Sequence, residues 1–277
     1  MSATVRIGDL AVARLGFGAM RLTGRLPFGE GPDRDTAIAV VRRAVEAGCQ
    51  LLDTADAYSL GLNEELLAEA LHPFPDGVVV ATKVGHCRPG DGAWVPLGRP
   101  EYLKQQAHLC LMRLRLDSLP LLQLHRIDPR VPLADQAGAL RELVEQGLVE
   151  RVGLSQVTVE QLEEFRQVVP VVSVQNRYNL SDRDDEELVD HCEQEGIAFL
   201  PWRPLWLSED DEPRLRAVAT RLGVTAAQVS LAWLLQRSPV MLPIPGTASP
   251  EHLEENLAAR DLVLDEEALA QLRPDSV

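Results

Sequence analysis

Lysine is nearly missing from this chain: Lys83 and Lys104 are the only two among 27 basic residues, the rest being arginine. We read the bias as coding preference, but it makes the place of each lysine informative, and one of them closes a strand-like run. Positive charge as a whole is scarce, with 27 Lys and Arg against 42 Asp and Glu, a formal net charge of −15 and a pI near 4.8. Such a surface repels phosphate backbones and anionic lipid, which argues against nucleic acid and membranes as partners. A small phosphorylated cofactor stays allowed, because helix N-termini and backbone N–H groups cradle a phosphate locally. Cys49, Cys87, Cys110 and Cys192 form no C-x-x-C pair, and the opening MSATVRIGDL shows no basic segment followed by an apolar run. A reduced, cytoplasmic protein is therefore expected. No apolar stretch approaches the roughly 20 residues that span a bilayer. His86 and Cys87 are adjacent but lack further ligands at a recognisable spacing, so no metal is expected. Nor does a low-complexity run or linker divide the chain, which implies one domain over residues 1–277.

What is present is alternation. After an N-terminal hairpin, TVRIGDLAVARLGFGAM, short apolar runs fall at 50–54, 78–83, 119–125, 149–155, 171–176, 197–202 and 240–245. Between them lie stretches with helical spacing, such as 36–48, 101–114 and 184–196. With LGFGA counted, about eight strands each followed by a helix point to a closed (β/α)8 TIM barrel with an N-terminal β-hairpin. An open doubly wound sheet alternates in the same way, but its dinucleotide fingerprint is missing: Gly16 and Gly18 form a G-x-G near the first strand, and no third glycine follows at the required position. The stretch 86–100 is too long and too rich in Gly and Pro for a simple connection and is expected to be an ordered loop over the site. Within it Trp94 either packs on the rim, the reading we place first, or closes on substrate.

A parallel barrel gathers its chemistry at the C-terminal ends of its strands. The second strand ends in Asp53 with Tyr58 beyond it, the third in Lys83 and the fourth in His125. Each has a bland reading: a helix cap for Asp53, a surface aromatic for Tyr58, an exposed strand terminus for Lys83, a rim histidine for His125. Together they make a proton-delivery device for reducing a carbonyl, a reaction in which the oxygen gains negative charge as hydride reaches the carbon. A phenol is a weak acid at neutral pH, a nearby ammonium lowers that barrier, and a buried ammonium needs a carboxylate. Lys83 and Asp53 supply these, and His125 orients the carbonyl.

The segments D53-T-A-D-A-Y58, A-T-K83 and L-Q-L-H125 resemble the hallmark of the aldo-keto reductases, and the resemblance covers essentially the whole chain. It implies Asp53, Tyr58, Lys83 and His125 as the catalytic group and a nicotinamide cofactor. By the same resemblance Gly18, Ala19 and Met20 lie under the nicotinamide, Ser155, Gln156 and Gln175 hold its carboxamide, and Trp202 stacks on its ring, followed by Pro204 and Leu205. Gly246, Thr247, Ser249, His252, Glu255 and Asn256 form the adenosine and 2′-phosphate clamp. Gln156 stands where many members have Asn, and Gly246 and His252 stand where many have Lys and Arg. That removes two permanent positive charges, so NADPH is favoured over NADH on backbone N–H groups, Thr247 and Ser249 rather than on cations. Tryptophan at 202 replaces a tyrosine and offers a comparable flat face. Trp94 and Trp206 are the candidate substrate contacts, Trp206 lining either the substrate mouth or the cofactor tunnel.

The resulting expectation is a cytoplasmic carbonyl reductase, most similar to compact bacterial members related to pyridoxal reductases, acting on a small aldehyde or ketone. Two alternatives remain open: a cofactor-sensing regulatory subunit with negligible turnover, and an enzyme working toward alcohol oxidation in a biosynthetic pathway. Oligomeric state is not encoded in any motif.

Overall fold

Helix and strand alternate along residues 3–273, the part of the chain that the computed structural model describes; the last four residues of the C-terminal segment lie outside it. The hairpin comes first, β1 (Thr4–Ile7) paired antiparallel with β2 (Leu10–Ala13). The main sheet is built from β3 (Phe17–Gly18), β4 (Leu51–Asp53), β5 (Val79–Val84), β8 (Leu121–Leu124), β9 (Val152–Ser155), β10 (Val171–Gln175) and β11 (Ala198–Phe199). These run side by side in chain order, every pairing parallel, while β6 (His86–Cys87) and β7 (Val95–Pro96) form a separate small hairpin. The helices that cover the sheet are α1 (Arg34–Glu46), α2 (Leu62–Leu71), α3 (Pro100–Leu114), α4 (Leu133–Glu145), α5 (Val159–Arg166) and α6 (Glu186–Glu195). They continue with α7 (Glu212–Leu222), α8 (Ala226–Arg237), α9 (Pro250–Ala258) and α10 (Glu266–Gln271). Among the described residues no single helix is long and apolar enough to cross a membrane.

The run 240–245, expected as an eighth strand, has a single strand-type bridge, Phe199 to Met241. Its sequence explains the shortfall, since Pro243 and Pro245 have no N–H to give. Their carbonyls still accept, Gly16 N donating to Pro243 O at 3.0 Å and Gly18 N to Pro245 O at 3.1 Å. On the other side Leu242 N donates to Phe199 O at 2.8 Å. The segment thus ties both edges of the sheet, β3 and β11, and occupies the eighth place in the barrel.

Local sequence sets the helix ends. Thr158 with Gln161 and Thr225 with Gln228 form capping boxes that open α5 and α8. The expected helix at 36–48 begins two residues earlier because Asp33 caps it through the Thr36 N–H. At the far end of α3, Arg115 lies in the left-handed region (φ 57°), where it caps the last carbonyls. A β-carbon there costs about 1 kcal/mol, so Arg115→Gly is expected to raise stability by about that amount in a urea titration, without change in turnover.

The interior of the barrel follows from alternation along the strands. Leu51, Val79, Ala81, Leu121, Ala198, Leu200, Leu242 and Ile244 form one buried cluster, and Val5, Ile7 and Val12 of the hairpin join it as a floor. A larger cluster lies between the sheet and the helices. Two residues further along each strand the same inward face turns polar: Leu51 gives way to Asp53, Ala81 to Lys83 and Leu121 to Gln123. The barrel is therefore greasy at its base and charged at its upper end, where strand C-termini meet.

Candidate active site

At that upper end Lys83 is fully buried, which excludes an exposed strand terminus. Its ammonium donates to Asp53 Oδ2 at 2.7 Å, to the Thr54 carbonyl at 2.8 Å and to Tyr58 Oη at 3.3 Å. Adjacent strands in register produce this, because Asp53 pairs with Ala81 and Lys83 with Gln123. Asp53 Oδ1 in turn accepts from Gln175 Nε2 at 2.8 Å and Gln123 Nε2 at 3.2 Å. Both carboxylate oxygens are thereby satisfied in a site where an unpaired charge would be costly.

Tyr58 opens a turn with two further residues in the left-handed region, Ser59 (φ 51°) and Leu60 (φ 55°), followed by Gly61 at φ 92°. A net of side chains pins the turn: Ser59 Oγ donates to Thr23 Oγ1 at 2.8 Å, and buried Asn63 donates to Thr23 Oγ1 and the Ala19 carbonyl. Thr54, whose carbonyl holds Lys83, gives its hydroxyl to Asn63 Oδ1 at 2.7 Å. The same few residues fix both the ammonium and the phenol.

Burial works against the charge on Lys83, but the carboxylate of Asp53 and then Tyr58 outweigh it and hold the ammonium above its usual range. For Tyr58 the expectation from sequence is corrected. Burial, joined by the negative charge of Asp53, pushes the phenol above the ordinary value of 10.0, although Lys83 pulls the other way. In the resting site Tyr58 is a protonated phenol beside a cation, a group with a proton to give.

His125 lies against Tyr58, with ring centroids 5.9 Å apart and planes at 84°. Burial first, then Lys83, Arg126 and His86, hold its imidazole well below the usual range, so it is neutral. Its Nδ1 is buried without a partner. Trp94, read from sequence as a rim residue or a substrate contact, joins this group, 6.1 Å from His125 and 6.5 Å from Tyr58 between ring centroids. The loop at 86–100 is ordered through the β6–β7 hairpin and through Gly98 N donating to Asp128 Oδ2 at 3.0 Å.

Sequence reasoning passed over His86, whose ring is 4.9 Å from His125 and 5.1 Å from Trp94. Burial, Arg126 and Arg88 lower it to about 4. It also passed over Gln123 and Arg126. The signal for Gln123 was on the page: it stands two residues before His125 on one strand, hence on the same inward face.

The expected cofactor positions fall into three groups. Ser155 is buried and accepts from Arg126 Nη1 at 3.0 Å. Gln156, at φ 57°, accepts from Trp202 Nε1 at 2.7 Å and from Arg177 N at 3.1 Å, so it steadies the indole. The Gln175 amide points its nitrogen at Asp53, a different partner from the one the resemblance implies. Gly18, buried Ala19 and half-exposed Met20 lead into a short 3-10 turn. Gly18 and Gly246 touch backbone to backbone: a β-carbon at Gly18 would lie 2.6 Å from the Ile244 carbonyl, and one at Gly246 2.6 Å from the Gly18 carbonyl. Glycine at 246 is thus required by packing, and no side chain can project there toward a phosphate.

In the third group Thr247 Oγ1 accepts from Ser249 N at 2.9 Å, and Ser249 caps α9 through the His252 N–H. His252 is exposed, Glu255 half-buried and Asn256 buried. Pro204 is buried, whereas Leu205 and Trp206 line an open groove of about 650 Å³ together with Glu212, Ala226 and Ala227 of α7 and α8. Trp206 makes no ring contact with Tyr58, Trp94 or His125; its ring faces the Arg177 guanidinium at 4.5 Å. Trp206, expected at the substrate mouth or along the cofactor tunnel, thus lies in the groove, outside the ring cluster around His125. These positions thus comprise a capped helix N-terminus, a half-buried indole at 202 and two glycines in close approach, while the open groove is lined by residues between 205 and 230.

Comparison with known proteins agrees with this geometry. The model of the Aldo/keto reductase family matches residues 14–274. The chain is 45% identical over 271 residues to an uncharacterized oxidoreductase of Schizosaccharomyces pombe, covering 97% of this chain and 88% of the relative. It is 41% identical over 283 residues to pyridoxine 4-dehydrogenase of Escherichia coli, covering 98% and 97%. The structure of an aldo/keto reductase from Klebsiella pneumoniae in complex with NADP and acetate superposes with a TM-score of 0.82 at 30% identity, over 98% of this chain and 94% of that one.

Proposed function

The chain belongs to the aldo/keto reductase family, and from that premise we propose that it reduces an aldehyde or ketone to the alcohol with NADPH, Tyr58 protonating the carbonyl oxygen. The observation that carries the reading is Lys83 Nζ placed 2.7 Å from Asp53 Oδ2 and 3.3 Å from Tyr58 Oη, the ion pair buried and the phenol half-buried above it. A bound dihydronicotinamide supplies the hydride. The carbonyl oxygen meets the Tyr58 hydroxyl on one side and the neutral His125 imidazole on the other. Lys83 favours the phenolate that Tyr58 becomes as its proton leaves, and Asp53 keeps Lys83 charged without approaching the substrate. Trp94 and the loop at 86–100 cover the reacting centre and limit water there.

Trp202, Ser155 and the turn at Gly18–Met20 would hold the nicotinamide end, and Thr247, Ser249 and the first N–H groups of α9 the far phosphate. NADPH is expected to be turned over faster than NADH at equal concentration. Clearly better turnover with NADH would reverse that assignment. Pyridoxal is the first substrate to assay, since the E. coli relative is named for dehydrogenation of pyridoxine at its 4 position. The test is loss of dihydronicotinamide absorbance on mixing protein, NADPH and a panel of aldehydes; tight cofactor binding with no oxidation would sink the reading.

The pH profile follows with a definite sign. Reduction needs Tyr58 protonated, and its proton is held above 10.0, while His86 at about 4 and His125 below its usual range are already neutral. The kcat/KM for reduction is expected to be level through the neutral range and to fall only as the pH climbs past the phenol. A break near neutral pH would assign the transferred proton to another group.

A further inference from the structure

The mouth of the site carries two arginines that no carboxylate neutralises. Arg88, one residue beyond β6, places its guanidinium carbon 4.2 Å from the Trp94 ring centroid and 5.5 Å from that of Phe28. It forms no hydrogen bond or ion pair with the described residues, and its Nε is buried without a partner. Asp91, the acidic residue of the same loop, is engaged by Arg25 at 2.6 Å. Arg126 gives Nη1 to the His125 carbonyl at 2.6 Å and to Ser155 Oγ at 3.0 Å, again with no acidic partner. Arg88 stacks on Trp94 and Arg126 bonds the His125 carbonyl, so both border the ring cluster of His86, Trp94 and His125.

The contrast is with the other partly buried arginines that lack a carboxylate: Arg14, Arg183 and Arg260 spend their donors on backbone carbonyls, whereas Arg88 forms no hydrogen bond among the described residues. A guanidinium kept partly out of water with donors unused is a fork for a carboxylate or phosphate, and stacking on Trp94 and Phe28 holds its plane in place. Flat rings beside it suit a planar molecule.

We propose that the carbonyl substrate is a planar compound bearing a negatively charged oxygen group, gripped by Arg88 while its ring lies against Trp94 and His86. This rests on the carbonyl-reductase reading above and narrows it to a substrate class. The net charge of the protein repels such a molecule at long range, so the recognition is local and short-ranged.

The experiment compares kcat/KM for 4-carboxybenzaldehyde with that for its uncharged methyl ester, in the unchanged protein, Arg88→Met and Arg88→Lys. Taking the acid-to-ester ratio within each protein removes any general damage from the substitution. The acid is expected to lead by ~10–100-fold in the unchanged protein, as a charge-assisted contact allows. The lead disappears in Arg88→Met and survives in part in Arg88→Lys. Equal rates for acid and ester, or a lead that persists in Arg88→Met, overturns the role of Arg88. No NADPH consumption with either compound or with pyridoxal overturns the carbonyl-reductase reading itself, and the substrate class with it.

Discussion

Tyr58→Phe is expected to lose on the order of 10²–10⁴-fold in kcat, the contribution of a positioned general acid, while the dissociation constant of NADPH barely moves. The substitution deletes one oxygen and keeps the ring, so the edge-to-face contacts with His125 and Trp94 stay available. Lys83 loses a 3.3 Å contact but retains Asp53 and the Thr54 carbonyl. Fold and cofactor surface are thus spared, and the loss isolates proton transfer. Single-turnover kinetics with saturating NADPH would read it. Near-normal turnover would take the proton-donor role away from Tyr58.

Lys83→Met combines a large effect on rate with one on stability. Removing one partner of a buried ion pair strands the other, at a cost of about 3–5 kcal/mol. Gln123 and Gln175 still donate to Asp53 Oδ1, which places the expected loss toward the lower end of that range. Turnover is expected to fall by ~10²–10³-fold, since phenolate formation loses its counter-charge. Replacing Asp53 by Asn in the same chain removes the stranded carboxylate, so the double variant is expected to regain most of the stability and none of the rate. Urea titrations of the three proteins, paired with kcat, separate the two effects. A Lys83→Met protein as stable as the parent would show that Asp53 and Lys83 do not depend on each other.

The strand ends were the most legible part of this sequence. Short apolar runs closing on Asp53, Lys83 and His125 carry positional information, because a parallel strand can finish only at one rim. Residues fixed by long-range packing were harder to read. Trp94 lies in a loop whose path is set by Asp128, 30 residues away, through the Gly98 N–H, and no local pattern announces that contact. Gly246 looked like a lost cation, yet its bareness answers to the Gly18 carbonyl on the far edge of the sheet. The eighth strand was legible as an apolar run and misjudged as a regular one, since hydrophobicity alone ignores the two missing N–H groups of Pro243 and Pro245. The rise in the Tyr58 pKa escaped for a related reason: sequence names the neighbouring ammonium but not the depth at which both groups lie.

The sealed position of Lys83 also has a practical side. With its side chain wholly enclosed and Lys104 one-third open, the folded chain presents a single side-chain amine to reagents that acylate amines. Besides the chain's own α-amino group, a dye would settle on Lys104 alone. Uptake of a further equivalent would then report that the barrel had come apart, and the protein would carry its own chemical gauge of unfolding.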